Sequence, residues 1–196
     1  MIKHKFYAIT DRKQIPDEDI LSAIKNALDA GVRMFQLREK DLSSGDLLRL
    51  GHAVAELTRS YDAQLFINDR ADIALAVGAD GVHLRTSSFS PEEAREFAQD
   101  LLVGASIHNA AEAESKKHAD FLLFGPVFDT PGKPKQGIEE LEKTVSKVEC
   151  PVYAVGGITP ENAKQCFDAG AFGIAAIRSW VDPKANEENL NYFSLL

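Results

Sequence analysis

The sequence predicts an α/β protein, a (β/α)8 barrel of the TIM type folding as a single domain over residues 1–196. Three observations carry that expectation. Eight short apolar segments alternate with helical patterns at about 24 residues per unit, compact but sufficient for this architecture. Nearly every apolar segment ends in polar or glycine residues, as strand tips opening into one mouth require. Small residues recur at the helix-to-strand joints: Ala30-Gly31-Val32, Gly78-Ala79-Asp80-Gly81, His118-Ala119-Asp120 and Ala169-Gly170-Ala171. A doubly wound Rossmann-type sheet needs a glycine fingerprint after its first strand, and Thr10-Asp11-Arg12-Lys13 stands there instead.

The strand candidates, in order, are Phe6–Thr10, Met34–Glu39, Leu65–Asp69, Gly81–Arg85, Leu101–His108, Phe121–Phe128, Val152–Ile158 and Gly173–Ile177. Between them, Asp17 is positioned to cap a helix ending at Gly31, and Ser43 or Ser44 one running to about Ser60. Asp72 to Val77 gives a short helical pattern that Gly78 stops. Ser90-Pro91-Glu92-Glu93 combines Pro at the first helical position with a capping-box Glu, and Asn109 with Glu112 gives a weaker box. Thr159-Pro160 starts the helix that Gly170 ends.

Bulk properties narrow the partners. A net charge of −8 with no long basic run argues against nucleic acid, though a few local cations can still set the potential inside a cleft. No apolar run reaches membrane-span length, and the first residues lack a signal-peptide core. Cys150 and Cys166 show no metal or redox spacing and read as small core residues, which fits a reducing cytoplasm. Trp180 and the closing segment 189–196 are expected to cover the barrel's side or to pair with another subunit in a homo-oligomer.

The strand tips hold the candidate chemistry. Alternation along strand 2 turns Gln36, Arg38 and Lys40 to the same side, and two cations there call for an anion such as phosphate or pyrophosphate. The competing reading is a strand end salt-bridged through Glu39 or Asp41. Asn68 and Asp69 end strand 3, where Asp69 is a candidate Mg²⁺ ligand or else a helix cap. Ser106 and His108 end strand 5; the hydroxyl can bind substrate and the imidazole can shuttle protons. His83 lies inside a strand and reads as packed; His4, His52 and His118 read as surface residues. The Gly/Pro/Lys-rich loop 125–137 offers Thr130 and Lys133 as phosphate contacts and is long enough to close over the mouth. Gly156 and Gly157 after strand 7 allow backbone amides close to a phosphate.

Taken together, Gln36 to Lys40, Ile67 to Leu84, Gly125 to Thr130 with Lys133, Val155 to Thr159 and Ala169 to Ile174 resemble the thiamine-phosphate synthase/TenI family. The resemblance runs from Tyr7 to about Ser179. It implies a TIM barrel of thiamine biosynthesis joining hydroxymethylpyrimidine pyrophosphate to hydroxyethylthiazole phosphate, with Mg²⁺ assisting pyrophosphate release. It places Gln36, Arg38, Lys40 and Asn68 at the pyrophosphate, Asp69 at the metal, and Ser106, Thr130 and Lys133 at substrate or pyrophosphate. Gly157 falls in the thiazole-phosphate loop. Three positions depart from the pattern. Ser88 stands where the synthases carry a second acidic metal ligand, which weakens Mg²⁺ binding. Arg178 replaces a phosphate-binding Ser. The segment 87–91 is closer to the TenI branch of thiazole tautomerases, yet Pro126 stands where that branch has its catalytic His. Besides the transferase, the sequence therefore admits a TenI-like isomerase with His108 as base, or a phosphate-binding barrel without catalysis.

Overall fold

The computed structural model describes residues 1–15, 19–181 and 192. Eight parallel strands close on themselves: β1 (Phe6–Ile9), β2 (Met34–Leu37), β3 (Gln64–Asn68), β4 (Gly81–Leu84), β5 (Leu102–Ile107), β6 (Phe121–Phe124), β7 (Val152–Val155) and β8 (Gly173–Ala176). Each strand pairs with its sequence neighbours, and β1 pairs with β8. Most are shorter at the C-terminal end than the apolar runs suggest, and several of the residues beyond the strand ends, among them Arg85, His108 and Ile177, line the mouth.

The helices between them follow local signals. They are α1 (Ile20–Asp29), α2 (Ser44–Arg59), α3 (Ala71–Val77), α4 (Pro91–Phe97), α5 (Ala110–Glu114), α6 (Ile138–Val145) and α7 (Pro160–Asp168). Ser43 caps α2, Ser90 and Glu93 close a full capping box on α4, and Asn109 accepts from the Glu112 amide at α5. Gly78 ends α3 at φ 65°, a left-handed conformation only glycine adopts at little cost. The α1 cap is Asp19, whose carboxylate accepts from the Leu21 and Ser22 amides; Asp17 lies outside the described residues.

Strand alternation divides the interior in two. Outward residues such as Phe35, Leu65, Ile67, Val82 and Val103 meet the helices. Inward residues Tyr7, Ile9, Met34, Phe66, Phe121, Leu123, Tyr153 and Ala175 fill the barrel. Phe121 lies edge-on to Tyr7, Phe66 and Tyr153, with centroids 5.5, 5.2 and 5.5 Å away. Glycines on neighbouring strands make room for these rings. A Cβ on Gly104 would stand 2.3 Å from the Phe121 ring and 2.8 Å from His83 Nδ1. Gly104→Ala is therefore expected to destabilise the fold by about 1–3 kcal/mol through overpacking. Urea denaturation checks this, and an unchanged midpoint would mean the aromatic layer is looser than it stands here. Trp180, 1% exposed, packs edge-on against Phe35 and donates Nε1–H to the Ile9 carbonyl, so it covers the barrel's side. The closing segment 189–196 lies outside the described residues apart from Tyr192.

Candidate active site

Above the aromatic layer, the inward alternation continues past the strand ends and lines a cavity of about 640 Å³ at the C-terminal mouth. Strand 2 contributes Gln36, Arg38 and Lys40, β3 Asn68, β4 His83 and Arg85, β5 Ser106 and His108, and β7 Val155. Thr130, Lys133, Gly156 and Arg178 complete the wall. The mouth of a parallel barrel is where strand tips from separate units converge on one ligand.

Except for Arg85, its cations lack an ion-pair partner among the described residues. Glu39, of opposite parity to Arg38 and Lys40, faces away: it accepts from the Thr10 hydroxyl at 2.7 Å and from Arg12 Nη1 at 3.1 Å. Asp41 pairs with Arg12 and Lys13. Neither acid reaches Arg38 or Lys40, so the strand end is not a self-contained salt bridge. Arg38, Lys40, Lys133 and Arg178 have no ion-pair partner among the described residues. Burial lowers the Lys40 pKa, and the charges of Arg38, Lys133 and Arg85 push it the same way. Asp11 also lines the cavity and opposes that shift without pairing with either cation, and crowded cations outnumbering the carboxylate beside them suit an anion.

Beneath them runs a directed polar chain. Gln36 Nε2 donates to the Tyr7 hydroxyl at 3.1 Å, Tyr7 sits 3.5 Å from His83 Nδ1, and His83 Nε2 sits 3.0 Å from Ser106 Oγ. With Tyr7 donating to Nδ1, His83 carries its proton on Nε2 and donates to Ser106, whose own hydrogen is left for a guest. His108 is held differently: Nδ1 donates to the Gly125 carbonyl at 2.6 Å, leaving Nε2, 3.3 Å from the Thr86 hydroxyl, as an acceptor.

On the far side Gly156 (φ 98°) and Gly157 (φ 65°) turn the chain after β7. A Cβ on Gly157 would stand 2.7 Å from the Asp129 carbonyl, so only glycine fits. Gly157 lines a second hollow of about 590 Å³ that shares Thr130, Gly156 and Arg178 with the main cavity and includes Thr159 at the start of α7. Lys133 closes a bridge to Thr130 in the β6 loop, while Lys135 is spent on Asp129.

The family model described as thiamine monophosphate synthase matches residues 6–180. The chain belongs to that family. It is 43% identical over 180 residues to the thiamine-phosphate synthase of Pyrococcus abyssi, covering 89% of this chain and 86% of that one. Likeness to the thiamine-phosphate synthase of Pyrococcus furiosus is 41% over the same shares. The solved thiamine phosphate pyrophosphorylase from Pyrococcus furiosus superposes with a TM-score of 0.87 at 37% identity, covering 96% of this chain and 93% of that chain.

Within this synthase-family barrel Asp69 is the expected site residue outside both hollows. The backbone explains it: β3 ends at Asn68, and Asp69 follows at φ 64°, a left-handed turn that takes its side chain out of the strand alternation. Its carboxylate accepts from Arg85 Nε at 2.7 Å, from Arg85 Nη2 and from the Ser88 hydroxyl. With Arg85 and Ser88 on both of its oxygens, Asp69 does not fit a resident Mg²⁺. No group of three or more His, Cys, Asp or Glu able to hold a metal occurs among the described residues. Arg85 lines the cavity and did not figure among the candidates, although the step of two that selects Gln36, Arg38 and Lys40 also selects Gly81, His83 and Arg85. His83 is packed as expected, 1% exposed, and also forms part of the cavity floor.

Proposed function

We propose that this barrel joins hydroxymethylpyrimidine pyrophosphate to hydroxyethylthiazole phosphate as a transferase of thiamine biosynthesis. The observation that carries the reading is the set of unpaired cations facing a glycine-built hollow across one mouth, in a chain of this family. In the reaction the bond between the pyrimidine methylene and the pyrophosphate oxygen breaks, and the electron pair leaves with pyrophosphate. The thiazole nitrogen then donates its lone pair to the methylene carbon.

Gln36, Arg38, Lys40, Asn68 and Lys133 receive the growing negative charge, a stabilisation that grows as the bond breaks. Ser106 and Thr130 orient the pyrimidine end, and Gly156, Gly157 and Arg178 hold the thiazole phosphate. The site's remaining task is to keep water from the cationic carbon. No step of this reading needs an ion held by Asp69. Small phosphorylated substrates and two free cysteines fit a cytoplasmic enzyme.

Pyrophosphate release that requires both substrates together tests the reading. Release from the pyrimidine alone, or none at all, would remove it. His108, with Nε2 as acceptor in the same cavity, supports thiazole tautomerisation as the second reading. Tautomer conversion without the pyrimidine substrate, lost in His108→Ala, is the result that would install it.

A further inference from the structure

Arg85 is the one cation of the main cavity with a carboxylate behind it. Asp69 takes its Nε and Nη2, and Ser88 closes the arrangement by donating to Asp69 and accepting from the Arg85 amide at 3.1 Å. Asp69 is largely covered, its side chain 18% exposed, while that of Arg85 is 51% exposed and lines the cavity. Nη1 has no partner among the described residues and keeps its hydrogens for a guest. A guanidinium clamped by a carboxylate on one edge is pre-oriented to meet an anion with the other. It stands with Arg38, Lys40 and Lys133 around the same space.

We propose that Arg85, oriented by Asp69 and Ser88, is the fixed cation that neutralises pyrophosphate at the β3 and β4 tips, in place of a divalent metal bound by the protein. The inference rests on the transferase reading for its ligand. Asp69 then acts as a positioning residue through Arg85.

Calorimetric titration of inorganic pyrophosphate into the full chain in EDTA provides the test. The wild type is expected to bind without metal. Arg85→Ala is expected to bind about ten- to a hundredfold more weakly, the loss of one charged hydrogen-bonding group, and added Mg²⁺ does not restore it. Arg85→Lys, which keeps the charge and loses the fork, falls between them. Asp69→Asn weakens binding less than Arg85→Ala, because the guanidinium remains in the cavity. Thermal melts establish that each variant is folded. Wild-type binding that appears only with Mg²⁺, an Arg85→Ala titration like the wild type's, or an Asp69→Asn loss exceeding that of Arg85→Ala would overturn the assignment. Turnover separates this inference from the reading beneath it. Turnover that stops in EDTA and returns with Mg²⁺ removes the Arg85 role and leaves the transferase standing. Arg85-dependent binding in EDTA with no turnover even after Mg²⁺ is added keeps Arg85 and removes the transferase.

Discussion

Replacing Arg38 with Ala is expected to weaken inorganic pyrophosphate by about 1.5–3 kcal/mol, roughly ten- to a hundred-and-fifty-fold in Kd. Turnover should fall further, on the order of 10²–10³, because charge on the departing oxygen is greatest in the transition state. Arg38 is chosen over Lys40 for its planar fork, which can grip two phosphate oxygens at once. Its backbone is pinned as well: the Arg38 amide donates to Thr10 Oγ1 at 2.9 Å, and Thr10 donates to Glu39. Burial lowers the guanidinium pKa, with Asp11 and Glu39 nearby opposing that shift and Arg85 adding to it. A half-buried cation with no ion-pair partner costs stability unless a ligand repays it, so the vacant protein of Arg38→Ala should be no less stable than the wild type. Pyrophosphate titration, steady-state rates and thermal melts on the same samples check all three statements. A variant that binds and turns over normally would remove Arg38 from the site.

The same arithmetic shows what was legible in the sequence and what was not. A strand shows its inward face every second residue, so Gln36, Arg38 and Lys40 could be assigned to the mouth before any coordinates. Counting from Phe66 on β3 admits Asn68, but the count stops there: Asp69, at φ 64°, leaves the alternation and turns to Arg85. Asp69 drew attention by its chemistry, and chemistry alone does not say which face a residue takes. His83 hid for the opposite reason: an apolar neighbourhood in sequence says packed, and only the register beside Gly104 and below Arg38 shows that it also supports Ser106. The loop carrying Thr130 and Lys133 was legible from composition as a Gly/Pro/Lys-rich segment at the mouth, but which lysine faces inward depends on the Thr130–Lys133 bridge, a pairing that composition does not encode.

Acid is expected to unfold the protein partly through His83. Burial drives its pKa from 6.5 down to about 3, with the charge of Arg38 acting in the same direction and Asp69 opposing it. Tyr7, Phe121, Gly104 and Ser106 surround the ring, and none carries an anion to repay a proton there. Between pH 6.5 and about 3 the unfolded chain therefore binds a proton that the fold refuses, and stability falls as the pH drops through that window. The loss is full below the folded pKa and absent above the unfolded one. At about pH 4.5 it should reach about 2–3 kcal/mol. His83→Gln keeps a donor toward Ser106 but cannot titrate. It should be less stable than the wild type at neutral pH, because the ring's packing is lost, yet lose less on acidification. Urea midpoints of both proteins at neutral and acid pH measure the difference, and parallel losses would place the acid sensitivity elsewhere. The same neutrality leaves the ring one donor and one acceptor. The tautomer that accepts from Tyr7 on Nδ1 and donates to Ser106 from Nε2 leaves the serine hydrogen for the guest.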